Sequence, residues 1–264
     1  MWENTHLSRT GLNYGYHGSV GFFCGGIQKI MEGFLQRTSL LIGDIGIQRL
    51  QNAFVIIIGL GGVGSYAAEA LARSGIGHLT LVDRDRVETS NINRQLPALH
   101  STLGQFKCEV MAKRIRDINP DIDLRVLPVE YTPDTADSIL DQSYDFVVDA
   151  IDSLTNKIHL IEYCLKKGLP IISSMGAANR LDPLQFKITD IKNTHTCPMA
   201  RKLRKELRQR GITSGVPVVY STENPHIPQY NEATRLGSIS FVPGTAGLAM
   251  AGFVVNNILA NALH

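Results

Sequence analysis

The stretch Val55–Ile58 runs without a polar residue into Gly59-Leu60-Gly61-Gly62-Val63-Gly64-Ser65, and an alanine-rich segment (Ala67, Ala68, Ala70, Leu71, Ala72) follows. This one transition constrains the fold more than any other part of the chain. A short β-branched run with no polar alternation suits a strand buried on both faces, as in a parallel sheet. The alanines suit a helix packed close against that sheet. The glycines therefore occupy a strand-to-helix turn, where free backbone N–H groups and the positive helix end hold a phosphate.

The rest of the first half repeats the alternation. Strands are predicted at Phe54–Gly59, His78–Asp83, Leu124–Val129, Asp145–Asp149 and Pro170–Ser174. Helices are predicted at Ser65–Ser74, Gln105–Ile118, Asp134–Leu140 and Leu154–Lys167. Gly75 and Gly168 fall where helices end, and Asn119-Pro120 closes the second one. The expected architecture is α/β: a doubly wound, mainly parallel sheet of Rossmann-like type. A smaller C-terminal α+β part extends it, with strands at Gln185–Thr189, Val216–Ser221 and Ser238–Val242 and a charged helix at Met199–Arg210.

Both ends need separate readings. Six glycines between Gly11 and Gly26 break any periodicity, so residues 1–30 read as a flexible extension or an upstream start. From Ser238 to Leu263 there is no charged residue. Pro243-Gly244 interrupts that stretch and Asn256-Asn257 lies within it, so it reads as a buried or dimer-facing helix rather than a membrane span. The four cysteines form no Cys-x-x-Cys pair, so no zinc site is expected and the thiols read as reduced, in a cytoplasmic protein. A net charge of +2 is too small to indicate nucleic-acid binding, so any such role needs a local patch.

Gly59-x-Gly61-x-x-Gly64, with Asp83 ending the next strand, fits a dinucleotide fingerprint, and NAD is the first candidate guest. Asp83 would hold ribose hydroxyls of NAD or ATP alike. The next segment discriminates. Arg94, in Ser90-Asn91-Ile92-Asn93-Arg94-Gln95, and Lys107 supply fixed cations of the kind a reacting triphosphate requires. Asp152, just past the strand tip at Asp149, suits a magnesium ion or phosphate orientation. Taken singly, each of these residues also fits a solvated side chain, and Asp149, Asp152 or Ser153 a helix cap.

As an ordered set they resemble the adenylating domain of the ThiF/MoeB superfamily: Gly59–Ser65, Asp83-x-Asp85, Ser90–Gln95, Gly104-x-x-Lys107 and Asp149-x-x-Asp152. The resemblance implies one adenylating domain over residues 31–264. Residues 31–175 would form its ATP-binding half and 176–264 its substrate and dimer half. It implies activation of a carboxylate as an acyl-adenylate, with ATP and Mg2+. Gly59, Gly61, Gly62, Gly64 and Asp83 would contact ATP, and Asn91, Arg94 and Lys107 its phosphates. Asp152 would serve the metal, and Arg37 would reach a partner's site in a homodimer.

Two branches of that superfamily remain open. One activates the terminal Gly-Gly of a small sulfur-carrier protein and usually carries two Cys-x-x-Cys pairs, which are missing here. The other acts on threonylcarbamoyladenosine in tRNA and resembles the chain over about residues 33–262, through segments such as Ile118-Asn119-Pro120, Gly176-Ala177 and Asp182-Pro183. It implies a tRNA substrate and leaves a sulfur-transfer protein partner open. Arg201, Lys202, Arg204, Lys205 and Arg208, with Leu203 and Leu207 turned inward, form the expected tRNA-binding face. Cys197 is the one cysteine with any claim as a nucleophile, though a loop cysteine is more often inert. A non-catalytic NAD-binding protein is the third reading.

Overall fold

Five apolar runs do form the parallel core of one sheet. In the computed structural model, which describes residues 33–226 and 236–260, the first described element is helix α1 (Gln36–Asn52), kinked at Gly43. There follow β1 (Phe54–Ile58), α2 (Gly64–Ser74), β2 (His78–Val82), α3 (Lys107–Ile118), β3 (Asp123–Leu127), α4 (Ala136–Ile139), β4 (Phe146–Asp149), α5 (Leu154–Lys167) and β5 (Ile171–Ser174). The remaining elements are β6 (Phe186–Asp190), α6 (Pro198–Gln209), β7 (Pro217–Ser221) and α7 (Phe241–Ala260). The expectation for residues 1–30 lies outside the described residues, as does Cys24.

The strand order is β3-β2-β1-β4-β5-β7-β6, parallel throughout except for β6 against β7. Ile58 at the end of β1 stands in register with Val82 on one side and Asp149 on the other. Strand order reverses there, so the loops leaving β1 and β4 diverge and a cleft opens at the carboxyl edge. Two hydrophobic clusters cover the faces. One joins α2, α3 and α7 through Leu71, Met111 and Met250. The other joins α5 and α6 through Leu160, Ile161, Leu203 and Leu207.

The C-terminal stretch differs from expectation. Ser238–Val242 is not a strand: Phe241 and Val242 already belong to α7, and Pro243-Gly244 lies in its first turn rather than interrupting it. A helix has no intrahelical partner for its first N–H groups, so a proline is tolerated there. Gly247 then permits close packing on α2, since a Cβ at that position would stand 2.2 Å from the Val63 carbonyl oxygen. Val242, Ala246, Met250 and Val254 recur every fourth residue and are fully buried. By length and composition α7 is apolar enough to cross a membrane, and here that stripe lies against α2, β5 and β7.

Candidate active site

The glycine turn is held in place by contacts that only glycine permits. Gly59 has φ 93°, and a Cβ there would stand 2.7 Å from the Ala150 carbonyl oxygen. A Cβ on Gly64 would stand 1.8 Å from the Gly59 carbonyl oxygen, so α2 starts against the end of β1 because residue 64 has no side chain. Gly61 is different: its missing Cβ would meet Gln95 Nε2 alone, at 3.8 Å, and the space beyond belongs to the cleft.

That cleft has a volume of about 440 Å³ and is walled by the loops leaving β1 to β5, five of the six parallel strands. The volume suits a nucleotide-sized ligand. Gly59, Gly61, Gly62, Asp83, Arg94, Lys107 and Asp152 all stand on its wall. Asp83 also ties the wall together: Oδ2 accepts the Leu60 N–H at 2.6 Å and Oδ1 accepts the Asp85 N–H at 2.7 Å. Burial raises its carboxyl above the usual range, against the opposing pull of those two bonds and of Lys107. Each oxygen keeps a lone pair for a further donor.

The two cations are fixed in different ways. Lys107, 5% exposed at the start of α3, places Nζ 2.8 Å from Asp85 Oδ2. Arg94 donates through one terminal nitrogen to the Ser90 carbonyl at 2.8 Å and to Asn93 Oδ1 at 2.9 Å. Its other terminal nitrogen and Nε have no such partner among the described residues. Beside them, Gln95 is buried with Oε1 unbonded. A cleft with held cations and a side-chain-free turn fits a polyphosphate.

Asp152 is exposed on the wall, presented by the loop after β4. Beneath that loop lies a buried cluster. Asp149 Oδ2 accepts from Lys157 Nζ at 2.7 Å and from Ser173 Oγ at 2.6 Å, and its Oδ1 accepts the Ile151 N–H at 3.1 Å. Both charged side chains are wholly buried. Ser153, not either aspartate, caps α5, accepting from the Asn156 N–H.

Four expected site residues lie elsewhere. Asn91 is buried off the cleft wall, where its Oδ1 accepts the Glu88 N–H at 3.2 Å and closes a turn. Gly64 acts through helix packing and is not on the wall. Arg37 is exposed on the first turn of α1, away from this chain's own cleft. Arg204 is turned back onto the loop before α6, donating to the Thr194 carbonyl at 2.6 Å and to its hydroxyl. It is thus a loop clamp rather than part of an outward face. Arg201, Lys202, Lys205 and Arg208 do fan outward, while Leu203 and Leu207 are buried. The N-terminal turn of α6 reaches the cleft at Met199. Cys197 immediately precedes that helix, 2% exposed and off the wall, which makes it a poor nucleophile. Among the described residues no group of three or more His, Cys, Asp or Glu side chains is placed to hold a metal ion.

Sequence reasoning missed two parts of the wall. Glu130 and Tyr131, past β3, stand on it; Glu130 pairs with Arg84 and accepts from Asn156, and the Tyr131 hydroxyl meets His159 Nδ1 at 3.1 Å. Neither carries a motif. The Ser174–Ala178 segment is legible in the sequence as a strand end and, at Gly176-Ala177, as a matching segment, but not as part of the cleft wall.

Comparison with known proteins agrees with this geometry. The family model described as "ThiF family" matches residues 35–263. The tRNA threonylcarbamoyladenosine dehydratase of Bacillus subtilis (strain 168) is 46% identical over 237 residues, covering 84% of this chain and 93% of that protein. The protein of the same name from Escherichia coli (strain K12) is 36% identical over 249 residues, covering 85% and 93%. A crystal structure of the E. coli dehydratase, TcdA, in complex with ATP superposes with a TM-score of 0.82 at 36% identity, covering 92% of this chain and 99% of that one.

Proposed function

The chain belongs to the ThiF family, and on that premise we propose that it uses ATP to dehydrate threonylcarbamoyladenosine at position 37 of tRNA, giving the cyclic hydantoin form. One observation carries the reading. The chain spans 93% of a dehydratase that is 46% identical to it, and its cleft sets fixed cations against a glycine turn.

The chemistry follows from the groups on the wall. A carboxylate is a poor electrophile, because oxide is a poor leaving group. An oxygen of the threonine carboxylate attacks the α-phosphorus of ATP, and pyrophosphate departs. The urea nitrogen bearing the adenine then attacks the activated carbonyl, loses its proton, and AMP leaves as the five-membered ring closes. Water is removed overall, its oxygen carried off on AMP. The second step is intramolecular, so positioning supplies much of its rate. No covalent enzyme intermediate is required, consistent with a buried Cys197.

In this reading Arg94 and Lys107 gather the two anions and stabilise charge on the α-phosphate and the leaving pyrophosphate. Asp83 holds the ribose, and the N–H groups around Gly61 and Gly62 cradle phosphate. Asp152 would hold a Mg2+ ion, which would offset phosphate charge. Arg201, Lys202, Lys205 and Arg208 meet the RNA backbone beside the cleft. The exposed side chains Phe34, Leu40, Leu41 and Ile45 on and before α1 support a homodimer, in which Arg37 would enter the partner's cleft. The free, buried Cys108, Cys164 and Cys197 accord with a cytoplasmic protein.

The test is direct. The protein, ATP, Mg2+ and tRNA bearing threonylcarbamoyladenosine are incubated, and the nucleosides are resolved by mass spectrometry. Loss of one water from the modified nucleoside, with stoichiometric AMP, is expected. Unchanged tRNA, with AMP formed instead on a carrier protein ending in Gly-Gly, would overturn the reading.

A further inference from the structure

Arg180 follows the wall segment Gly176–Ala178 and is 3% exposed. Buried arginines are ordinarily paired with a carboxylate. This one has no carboxylate within ion-pair distance among the described residues. One terminal nitrogen makes long bonds to the carbonyls of Ala178 and Asn179, at 3.3 and 3.4 Å. Its Nε is buried and has no hydrogen-bond partner.

Glu223, the carboxylate whose charge acts on Arg180, is engaged elsewhere. It accepts the N–H groups of Leu181 and Asp182, at 3.1 and 3.0 Å, and meets His226 Nε2 at 2.7 Å. The loop that holds Arg180 is itself constrained. Asn179 has φ 57° and is pinned to Gly237 by two bonds of 2.8 and 2.7 Å. A buried charge left without a counterion is costly, so its persistence needs an explanation.

The position offers one. The glycine turn follows β1, and Ser174, Gly176 and Ala178 wall the cleft two strands away, past β5, with Met199 beside them. If nucleotide lies against the glycine turn, the acyl substrate enters past β5. Arg180 is not itself on the wall; its guanidinium reaches the Ala178 carbonyl, in the wall segment Gly176, Ala177 and Ala178, which carries almost no side chain. A fixed charge behind a thin, low-dielectric wall acts strongly on an anion in front of it.

We propose that Arg180 provides the countercharge for the carboxylate of the acyl substrate, across the wall formed by Gly176, Ala177 and Ala178. It is a positioning and specificity residue, selecting an anionic acyl group and holding it near the α-phosphate before Arg94 and Lys107 act. The inference rests on the function proposed above and names how that site recognises its substrate.

The test compares two anticodon-loop RNAs, one bearing threonylcarbamoyladenosine and one its methyl ester, which lacks the charge. Affinities are measured by fluorescence anisotropy with a non-hydrolysable ATP analogue present. The wild-type protein is expected to prefer the carboxylate about tenfold, as expected for a desolvated charge contact. Arg180→Gln should bring the two RNAs within about twofold of each other, and Arg180→Lys should retain most of the preference. Affinity for the ATP analogue alone should stay within about twofold in every variant.

A preference that survives Arg180→Gln overturns the proposal. Should that variant fail to fold, Arg180→Lys decides: weaker binding of both RNAs by the same factor marks a structural role and overturns it. Wild-type protein that fails to convert the carboxylate RNA at all sinks the proposed function itself, a separate result from a preference indifferent to Arg180.

Discussion

Lys157 gives the sharpest quantitative prediction. Its ammonium lies 2.7 Å from Asp149 Oδ2 and 3.2 Å from Ser173 Oγ, and neither charged side chain reaches solvent. Lys157→Met keeps most of the volume and removes the charge. Asp149 is then a buried carboxylate supported by Ser173 Oγ and the Ile151 N–H alone. Removing one partner of a buried pair costs about 3–5 kcal/mol. For a chain of this size 1 kcal/mol shifts Tm by about 2–4 °C, so the expected loss is about 6–20 °C. Replacing both charges, as in Lys157→Met with Asp149→Asn, should recover at least about 2 kcal/mol of that loss, because desolvation offsets much of a buried pair's attraction. Urea and thermal unfolding, followed by circular dichroism, measure Lys157→Met, Asp149→Asn and the double variant. A Lys157→Met loss below about 1 kcal/mol, or a double variant as unstable as the sum of the singles, would refute the reasoning.

Other outcomes follow from the same contacts. Gly64→Ala and Gly61→Ala should separate fold from binding. The first pushes a Cβ against the Gly59 carbonyl and should lower stability by at least about 2 kcal/mol. The second has room within the fold and should leave Tm nearly unchanged while nucleotide binding, read by calorimetry, is lost. Arg94→Ala should lower kcat for AMP formation about 100-fold or more, with Tm unchanged; full activity would remove Arg94 from the mechanism. Lys202→Glu with Lys205→Glu should raise the KM for tRNA and flatten its salt dependence, with the KM for ATP constant, whereas Arg204→Ala should act on Tm instead. Glu69 tests pH dependence: burial alone would raise its carboxyl, but hydrogen bonds from Arg114 and Arg73 outweigh it and hold the pKa below the usual range. A depressed carboxylate stabilises the fold above its unfolded pKa and loses that contribution as pH falls through the folded value. Glu69→Gln should therefore cost about 1 kcal/mol at neutral pH, and the difference should vanish in acid.

The parts legible in the sequence are those fixed by local chemistry. An unbroken run such as Val55–Ile58 has one comfortable environment, between two helical layers, and Gly59–Gly64 has one comfortable turn. Asp83, Arg94, Lys107 and Asp152 could be placed on one edge because the carboxyl ends of parallel strands share it. The misreadings concern residues whose partners are distant in sequence. Ser238–Val242 has a strand's composition, yet α2 offers it a helix-packing groove through Gly247 and Gly244. Arg204 looks like one cation among several until Thr194 lies beneath it. Lys157, Asp149 and Ser173 come from a helix and two strands, and no spacing rule shows that they meet. Arg180 is visible in sequence as an ordinary loop arginine; only its burial sets it apart.

In the proposed reaction the substrate's own carboxylate attacks the α-phosphorus of ATP in this cleft. The direct measurement uses tRNA whose threonylcarbamoyl carboxylate carries heavy oxygen, with unlabelled ATP and water. Mass spectrometry of the released nucleotide should find one heavy oxygen transferred to the phosphate of AMP for each ring closed. Unlabelled AMP, or heavy oxygen in inorganic phosphate or pyrophosphate, would contradict it.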